Sequence, residues 1–155
     1  MILEQLVSPS RVLCNVYARN KKHSLEILSE LLSSPNPDIA NEDIFSKLIA
    51  RERLGCTSLG KGTAFPHCRI SDVQNNCGAL MKLSEPVDFD SADGMPVDLV
   101  FGLILPTELN DRHYTDIDMI TGFLNTDALT AKLRSMNSSR ALYEALLTDH
   151  CTGNH

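Results

Sequence analysis

The chain has 155 residues, of which 43% are hydrophobic, and this is enough apolar material for one core and one domain. Its formal net charge of -6 argues against the basic surface that binding to nucleic acid requires. The longest apolar stretch, Val97–Pro106, is far shorter than the roughly 20 residues of a membrane span, and the opening residues lack a secretory pattern, so we expect a cytoplasmic protein without membrane insertion.

The first elements predicted along the chain are a strand and a helix. Val12, Cys14 and Val16 occupy alternate positions in the segment 12–17, which is the pattern of a strand. Leucines at helical spacing from Leu25 to Leu32 then predict a helix. The segment 33–37 ends this helix, because proline cannot continue it.

A second helix is predicted after this break. Asn41 is its expected N-cap, and Gly55 is the residue at which we expect it to stop. Arg51 lies in its last turn, where a positive side chain is favourable beside the exposed carbonyl groups. This position explains an arginine without any function.

The next segment combines a glycine loop with a short, interrupted strand. Gly60 and Gly62 predict the loop, and residues 63–70 have the composition of a strand. Pro66 removes a hydrogen-bond donor from that strand, so the segment belongs at a sheet edge or a bulge. At such an edge His67 would be presented to solvent instead of being held in the core.

The second half of the chain predicts two strands and three helices. Residues 77–83 and 97–105 are the strands, and the second is apolar enough to lie centrally with helices on both faces. The loop 107–111 follows that strand, a common place for function in open α/β sheets, and His113 opens the next helix. The apolar faces of the three helices consist of Ile117, Ile120, Leu124, Leu129, Leu133, Met136, Leu142, Ala145 and Leu146.

These elements predict an α/β (α+β) fold, a single layered domain in which helices flank a mixed β-sheet. The domain is expected to span residues 1–155, with its core at about 12–148. The polar segment 149–155 is predicted to be a disordered tail.

The five cysteines show no C-x-x-C pair and no zinc-type spacing, which predicts reduced thiols, no metal and no cofactor. Cys68 adjoins His67, but neighbouring side chains on an extended chain point to opposite faces. This disfavours a catalytic Cys68, and it also disfavours a metal site made of His67, Cys68 and His113. Residue types alone leave His67, His113 and Arg51 open to ordinary structural roles.

A long segment of the chain resembles a known family signature. Residues 51–54, Thr57 and the run 59–67 are similar to the active-site signature of enzyme IIA proteins of the phosphoenolpyruvate-dependent phosphotransferase system. The resemblance is to the fructose/mannitol superfamily, most of all to its nitrogen-regulatory branch, and covers about residues 12–148. Two positions depart from the pattern: Cys68 stands where glycine is frequent, and Lys61 where asparagine is frequent.

The resemblance implies that His67 accepts a phosphoryl group, with His113 and Arg51 as phosphate stabilisers. An imidazole suits this task because its ordinary pKa of about 6.5 leaves one nitrogen unprotonated at pH 7. A guanidinium and an imidazole N–H would stabilise the negative charge on the oxygens of the transferred phosphoryl group.

The implied partners are a histidine-containing phosphocarrier protein, as donor, and regulatory targets such as kinases or transporters. The glycines would let backbone amides and a partner approach closely, and an apolar patch around His67 would receive the partner. The residues predicted to face a partner are Gly60, Gly62, Phe65, Pro66 and Cys68.

Three functions remain open at this point. The first is a nitrogen-regulatory phosphocarrier whose targets respond to the phosphorylation of His67, which adds about -2 of charge. The second is a fructose- or mannitol-specific enzyme IIA that passes phosphate to a IIB component for sugar uptake. The third is a regulatory protein-binding module that does not depend on phosphotransfer.

Overall fold

The computed structural model describes residues 2–71, 73 and 75–153. The helices are α1 (Ile2–Leu6), α2 (Lys21–Ser33), α3 (Asn41–Leu54), α4 (Asp111–Leu124), α5 (Asp127–Ser135) and α6 (Ser139–Gly153). The strands are β1 (Val12–Val16), β2 (Ser58–Gly60), β3 (Thr63–Ala64), β4 (His67–Arg69), β5 (Cys77–Val87) and β6 (Val97–Leu105). A single 3-10 turn, Pro9–Arg11, precedes β1.

All these strands belong to one mixed sheet with the order β1-β5-β6-β3-β2, in which β4 also pairs with β6. The pairs of β1 with β5, β3 with β6 and β4 with β6 are parallel, whereas β5 with β6 and β2 with β3 are antiparallel. Helices flank this sheet, so the predicted mixed α/β architecture is confirmed.

Strand β6 is central, and its alternating side chains enter two separate cores. Val100 and Ile104 pack with α2 and α3 on one face of the sheet. Phe101 and Leu103 pack with α1, α4, α5 and α6 on the other face. A run of apolar residues is what burial on both faces requires. The prediction that this strand is central and covered on both faces is therefore confirmed.

Helix α2 lies very close to the sheet at one glycine of β6. A Cβ atom on Gly102 would be only 2.5 Å from Cδ2 of Leu28. The missing side chain lets the leucine face of α2 contact the backbone of the sheet. This contact holds α2 against β6, the strand with which β4 also pairs.

The structure corrects several predicted ends. Asn41 is the first residue of α3, and the N-cap is Ala40, which makes no side-chain capping hydrogen bond. Gly55 does end α3, but its φ of 162° is extended backbone, not the left-handed conformation that favours glycine. Helix α6 continues through Gly153, where a disordered tail was expected, and residues 154 and 155 lie outside the described part of the chain.

Membrane spanning needs a helix that is both long and apolar. No helix in the described part of the chain meets these two conditions.

Candidate functional site

His67 is the first residue of β4, which follows β3 after a break at Pro66 and pairs with β6. The pairs Ala64–Val100 and His67–Leu103 advance by the same number of residues on both strands, so β3 and β4 follow β6 in one register. Pro66 interrupts them, while its carbonyl accepts a hydrogen bond of 3.1 Å from the Leu103 N–H. The predicted break at the proline is present, although β2 covers β3, so that of these two strands only β4 lies at an edge of the described sheet. The His67 side chain is half-buried, so it is less exposed to solvent than predicted.

The imidazole of His67 is held by the residue two positions before it. Its Nδ1 lies 2.8 Å from the carbonyl oxygen of Phe65, and its ring packs on the Phe65 ring at a centroid distance of 4.6 Å. A carbonyl oxygen only accepts hydrogen bonds, so Nδ1 carries the proton. In the neutral ring the lone pair is therefore on Nε2.

The surroundings of His67 lower its pKa below the ordinary value of 6.5. Burial is the largest cause, because it disfavours the charged ring, and the positive charges of Arg51 and Arg69 act in the same direction. The hydrogen bond to Phe65 and the charge of Glu52 oppose this shift. At neutral pH the ring is therefore uncharged and Nε2 is a nucleophile.

His67 lines a cavity of about 570 Å³ together with Arg51. Its lining residues are Lys47, Ala50, Arg51, Leu54, His67, Cys68, Arg69, Leu105, Leu109, Tyr114 and Ile117. Among these described residues three side chains are cationic and none is a carboxylate. A chain with an overall charge of -6 thus has one cavity wall suited to an anion.

Arg51 occupies both the helix end and this cavity. Its Nη1 donates a hydrogen bond of 2.9 Å to the carbonyl oxygen of Gly55, as expected of a cation in the last turn. A guanidinium has five N–H donors in a fixed plane, so this bond uses only part of its capacity. The structure brings Arg51 and His67 together, as predicted.

His113 lies elsewhere. It occupies the first turn of α4, where its backbone N–H donates to Oδ1 of Asn110 and its Nδ1 accepts from the Asn110 N–H, both at 3.1 Å. Its side chain lines an adjoining cavity, whereas Tyr114 and Ile117 of the same helix line the His67 cavity. His113 therefore does not line the cavity that Arg51 shares with His67, because successive helical residues point about 100° apart.

The glycine loop forms a tight turn between β2 and β3 and does not line the His67 cavity. Gly60 and Gly62 have φ values of +88° and +82°, which side chains rarely adopt. The N–H of Lys61 donates to Oδ2 of Asp93 at 2.8 Å, and Arg134 Nη2 donates to the Lys61 carbonyl at 2.8 Å. These contacts fix the turn, and they engage the Lys61 N–H and carbonyl within the chain.

Three further residues predicted to face a partner are buried. Phe65 and Cys68 are only 2% and 8% exposed, and Pro66 is buried as well. The buried Phe65 ring packs against the His67 imidazole. Burial raises the pKa of the Cys68 thiol to about 12, so this thiol stays protonated and unreactive.

The exposed apolar side chains at this cavity were missed from the sequence. Leu54 is 86% exposed and Tyr114 is 52% exposed, and both line the cavity. Leu54 is the last residue of α3, where helical periodicity no longer indicates which side chains are buried. The signal in the sequence for an exposed apolar side chain was a leucine directly before Gly55, where the helix ends. An apolar patch beside His67 exists, but Leu54 and Tyr114 form it instead of Phe65.

A buried carboxylate supports the site from the other side. Glu52 is 9% exposed, and its carboxylate accepts hydrogen bonds from the Thr57 hydroxyl and backbone N–H and pairs with Lys21 Nζ at 2.9 Å. The Thr57 carbonyl in turn accepts the Phe65 N–H at 3.0 Å. These bonds connect Glu52 of α3, through Thr57, to Phe65, whose own carbonyl oxygen faces Nδ1 of His67. Sequence reasoning did not find this role for Glu52.

The alternative metal site of His67, Cys68 and His113 is not assembled. Across the described residues, no three His, Cys, Asp or Glu side chains are grouped so that they could hold a metal ion. His113 lines the adjoining cavity, and Cys68 keeps its proton.

The fold and the basic cavity around an imidazole define a protein of the phosphotransferase-system IIA class. The family model described as "Phosphoenolpyruvate-dependent sugar phosphotransferase system, EIIA 2" matches residues 5–148, and the chain belongs to this family. It is 39% identical to a nitrogen regulatory protein from Pseudomonas aeruginosa over 145 residues, which is 94% of each chain.

Solved structures agree with this assignment. The crystal structure of nitrogen regulatory protein IIA-Ntr from Neisseria meningitidis has a TM-score of 0.88 at 29% identity and covers 94% of this chain and 99% of that chain. The crystal structure of IIA mannitol from Escherichia coli has a TM-score of 0.74 at 22% identity, with coverage of 90% and 98%, which shows a shared fold.

Proposed function

We propose that this chain is a nitrogen-regulatory enzyme IIA, reversibly phosphorylated on His67 by a histidine-containing phosphocarrier protein. The observation that carries the proposal is the His67–Phe65 hydrogen bond, because it leaves the Nε2 lone pair available inside a cationic cavity. The proposal includes a cytoplasmic location, since the phosphoryl group comes from phosphoenolpyruvate through carrier proteins that act there.

The transfer step forms one bond and breaks one. The Nε2 lone pair of His67 attacks the phosphorus of the donor's phosphohistidine, and the P–N bond of the donor breaks, which returns the electron pair to the donor's imidazole. The Nδ1 proton stays on His67 during the attack, held by the Phe65 carbonyl, so the newly phosphorylated ring carries a positive charge. The donor leaves as a neutral imidazole because its other ring nitrogen keeps a proton. The reverse step passes the phosphoryl group on in the same way.

The cations of the cavity act on charge that develops during this step. The transition state is loose and distributes negative charge over the equatorial phosphoryl oxygens, so positioning and electrostatic stabilisation provide the catalysis. Arg51 is the proposed principal stabiliser because it shares the cavity with His67. Lys47 and Arg69 add positive charge at the same wall.

His113 remains a proposed second stabiliser. Its Nδ1 accepts the Asn110 N–H, so Nε2 is the atom that would donate to a phosphoryl group, but its side chain does not line the His67 cavity. We therefore expect replacement of His113 by alanine to slow phosphorylation less than replacement of Arg51.

The donor is proposed to dock on the exposed side chains of Leu54 and Tyr114. Apolar contact of this size suits a transient complex, and the cations around it favour a partner with acidic groups at its rim. Phosphorylation would then change the charge of this surface by about -2, which gives regulatory targets a basis for distinguishing the two forms.

The sugar-specific alternative shares the same chemistry but passes the phosphoryl group to a IIB component. The nitrogen-regulatory branch is favoured because the similarity to the Pseudomonas aeruginosa relative covers nearly all of both chains. A purified mannitol- or fructose-type IIB component separates the two, since only the sugar-specific protein would phosphorylate it at a rate comparable with its own phosphorylation.

The proposal is tested by incubating the chain with enzyme I, the phosphocarrier protein and phosphoenolpyruvate. We expect a mass gain of one phosphate that is lost in acid and stable in base, as for phosphohistidine. His67→Ala should abolish the gain, while His23→Gln, a control on α2, should keep it. Absence of the modification, or its persistence in His67→Ala, would overturn the proposal.

Regulation is tested separately by comparing target binding between the two forms. Candidate targets are kinases and transporters captured with the unphosphorylated and the phosphorylated chain. Binding that differs at least about tenfold between the forms supports the switch. Equal binding of the two forms, retained in His67→Ala, favours the protein-binding module that does not depend on phosphotransfer.

A further inference from the structure

The cavity of His67 has apolar walls that the proposed phosphotransfer leaves without a role. Leu105, Leu109 and Ile117 line it in addition to the two exposed side chains proposed to receive the donor. Leu105 is 1% exposed, and Leu109 and Ile117 are half-buried, so these three form the inner part of the cavity. A phosphoryl group on Nε2 is polar on every side and gains no hydrophobic stabilisation from contact with them.

The same cavity carries positive charge that no described carboxylate neutralises. Lys47 and Arg69 are exposed, and Arg51 uses only part of its donor capacity within the chain. None of the three forms an ion pair with a carboxylate in the described part of the chain. In addition to burial, the charges of Arg51 and Arg69 lower the pKa of His67. Burial raises the pKa of Cys68 and the charge of Lys47 opposes this rise, so all three charged groups lie near the start of β4.

Positive groups beside apolar walls define an amphipathic anion as the matching ligand. A guanidinium group presents parallel N–H donors that fit a carboxylate, and each unpaired cation adds favourable charge. An alkyl or phenyl body would cover the inner apolar side chains and remove them from water. The cavity volume of about 570 Å³ lies within the roughly 300–1,000 Å³ of small-molecule sites, so both parts of such a molecule fit.

We propose that the unphosphorylated chain binds a small carboxylate with an apolar body in this cavity, its carboxylate toward the three cations and its body against Leu109 and Ile117. Such a ligand would occupy the place of the donor's phosphoryl group and inhibit phosphorylation of His67. This inhibition rests on the function proposed above, whereas the binding itself does not. Phosphorylation would in turn place negative charge beside the same cations, so each event weakens the other.

Binding is tested on the full, unphosphorylated chain by isothermal titration calorimetry and by NMR. The probes are butyrate, 4-methylpentanoate, octanoate and 3-phenylpropionate, each titrated to about 10 mM. Acetate keeps the carboxylate without an apolar body, and 3-phenylpropionamide keeps the body without the charge. We expect at least one probe to bind saturably, to shift the ring signals of His67 and the amides of Leu109 and Ile117, and to bind at least about tenfold more tightly than acetate or the amide.

Matched variants localise the binding. Lys47→Gln and Arg69→Gln remove charge at exposed positions, where folding is not at risk, and each should weaken binding by about threefold, with about tenfold in the double variant. Arg53→Gln, an exposed position in the last turn of α3 that does not line the cavity, should leave binding unchanged. Leu109→Ala should weaken binding by at least about threefold, whereas Met95→Ala, at an exposed apolar position away from the cavity, should not.

Inhibition is measured separately, as single-turnover transfer from the phosphorylated carrier to the chain saturated with the tightest probe. We expect transfer to slow by at least about tenfold, and the phosphorylated chain to bind that probe at least about tenfold more weakly. Transfer at an unchanged rate with the probe bound would overturn the inhibition. A chain that binds the probe but is never phosphorylated would instead contradict the function proposed for His67 and leave the binding site in place.

Three results would overturn the binding site itself. One is the absence of saturable binding by any of the four probes. Another is equal binding of acetate or of 3-phenylpropionamide, which would mean that the charge or the apolar body alone decides affinity. The third is unchanged affinity in the double variant of Lys47 and Arg69. All three are measured without phosphoenolpyruvate or a carrier protein, so they are distinguishable from failure of phosphotransfer.

Discussion

The Nδ1 atom of His67 lies 2.8 Å from the carbonyl oxygen of Phe65, two residues before it in the segment that joins β3 to β4. This single contact decides which ring nitrogen carries the proton, since a carbonyl cannot donate. It depends on Phe65 being buried, because a buried phenylalanine keeps its own backbone in place and supports the ring above it.

The first prediction concerns the titration of His67. Burial and the charges of Arg51 and Arg69 lower the pKa of His67, so the midpoint of its protonation should lie below the ordinary value of 6.5. We expect 15N spectra to show the proton on Nδ1 and a midpoint below 6.5. The sign follows directly: protonation occupies the attacking lone pair, so a lower pKa keeps the acceptor active to lower pH. A midpoint above the ordinary value, or a proton on Nε2, would contradict the assignment.

The second prediction concerns Arg51. Arg51→Gln should slow phosphorylation of His67 by about 10²- to 10³-fold, the usual effect of removing one donor aimed at developing negative charge. It should also raise the pKa of His67, because the Arg51 charge lowers that pKa. The measurements are single-turnover transfer from the phosphorylated carrier and the NMR titration above.

Arg53→Gln is the matched control, because Arg53 occupies the same last turn of α3 but is exposed and does not line the cavity. If both variants lose a similar amount of stability and neither slows transfer selectively, Arg51 acts only as a helix-end cation. The bond from Arg51 to the Gly55 carbonyl makes thermal unfolding a necessary companion measurement.

The sequence predicted most elements of the fold because their periodicity records burial. Leucine spacing located α2, and the uninterrupted apolar run located β6 in the centre of the sheet. Helix α1 escaped prediction since its five residues are too few to show a period. Asn41 resembled a cap, but the extended residue that precedes a helix can be any residue when tertiary packing holds it, and here it is Ala40.

The site was predictable in part for a different reason. The run of residues before His67 determines the edge geometry locally, so a local pattern could identify it. The direction of His113 depends on the phase of α4, where a change of one position selects between two cavities. The support from Glu52 joins segments that meet only in the folded chain, and one sequence carries no periodic signal for such a contact.

The third prediction concerns that support. Thr57→Val removes the hydroxyl that donates to the buried Glu52 carboxylate, and we expect a loss of about 1–3 kcal/mol in the free energy of unfolding. Because the Thr57 backbone also holds Phe65, transfer to His67 should become slower. Urea denaturation and single-turnover transfer are the readouts. Thr57→Ser keeps a hydroxyl and should restore most of both; equal loss in the two variants would contradict the role of this bond.

The fourth prediction concerns docking of the donor. Leu54→Ser and Tyr114→Ser should each raise the KM for the phosphorylated carrier by about tenfold and leave the transfer rate at saturation almost unchanged. Both side chains are exposed, so folding should not suffer. Tyr17→Ser is the control: Tyr17 is 58% exposed but does not line the cavity. An equal effect of Tyr17→Ser would locate docking elsewhere.

The fifth prediction concerns the effect on stability of replacing Gly62 and Gly55 by alanine. A Cβ atom at Gly62 would lie 2.8 Å from Nη2 of Arg134 and 3.2 Å from Oδ1 of Asp98, and its φ of +82° is strained for any side chain. Those two residues form an ion pair of 2.9 Å that fixes the turn. Gly62→Ala should therefore cost about 1–3 kcal/mol in the free energy of unfolding.

Gly55→Ala is the comparison, since the backbone of Gly55 is extended and a Cβ atom there would meet no atom within 4 Å apart from its chain neighbours. We expect it to be neutral or slightly stabilising, because alanine restricts the unfolded chain more than glycine does. Neither variant should change the rate of transfer to His67 in the folded protein, because neither residue lines its cavity. If Gly62→Ala folded normally but slowed transfer to His67, the glycine turn would contact the donor protein, as the sequence predicted.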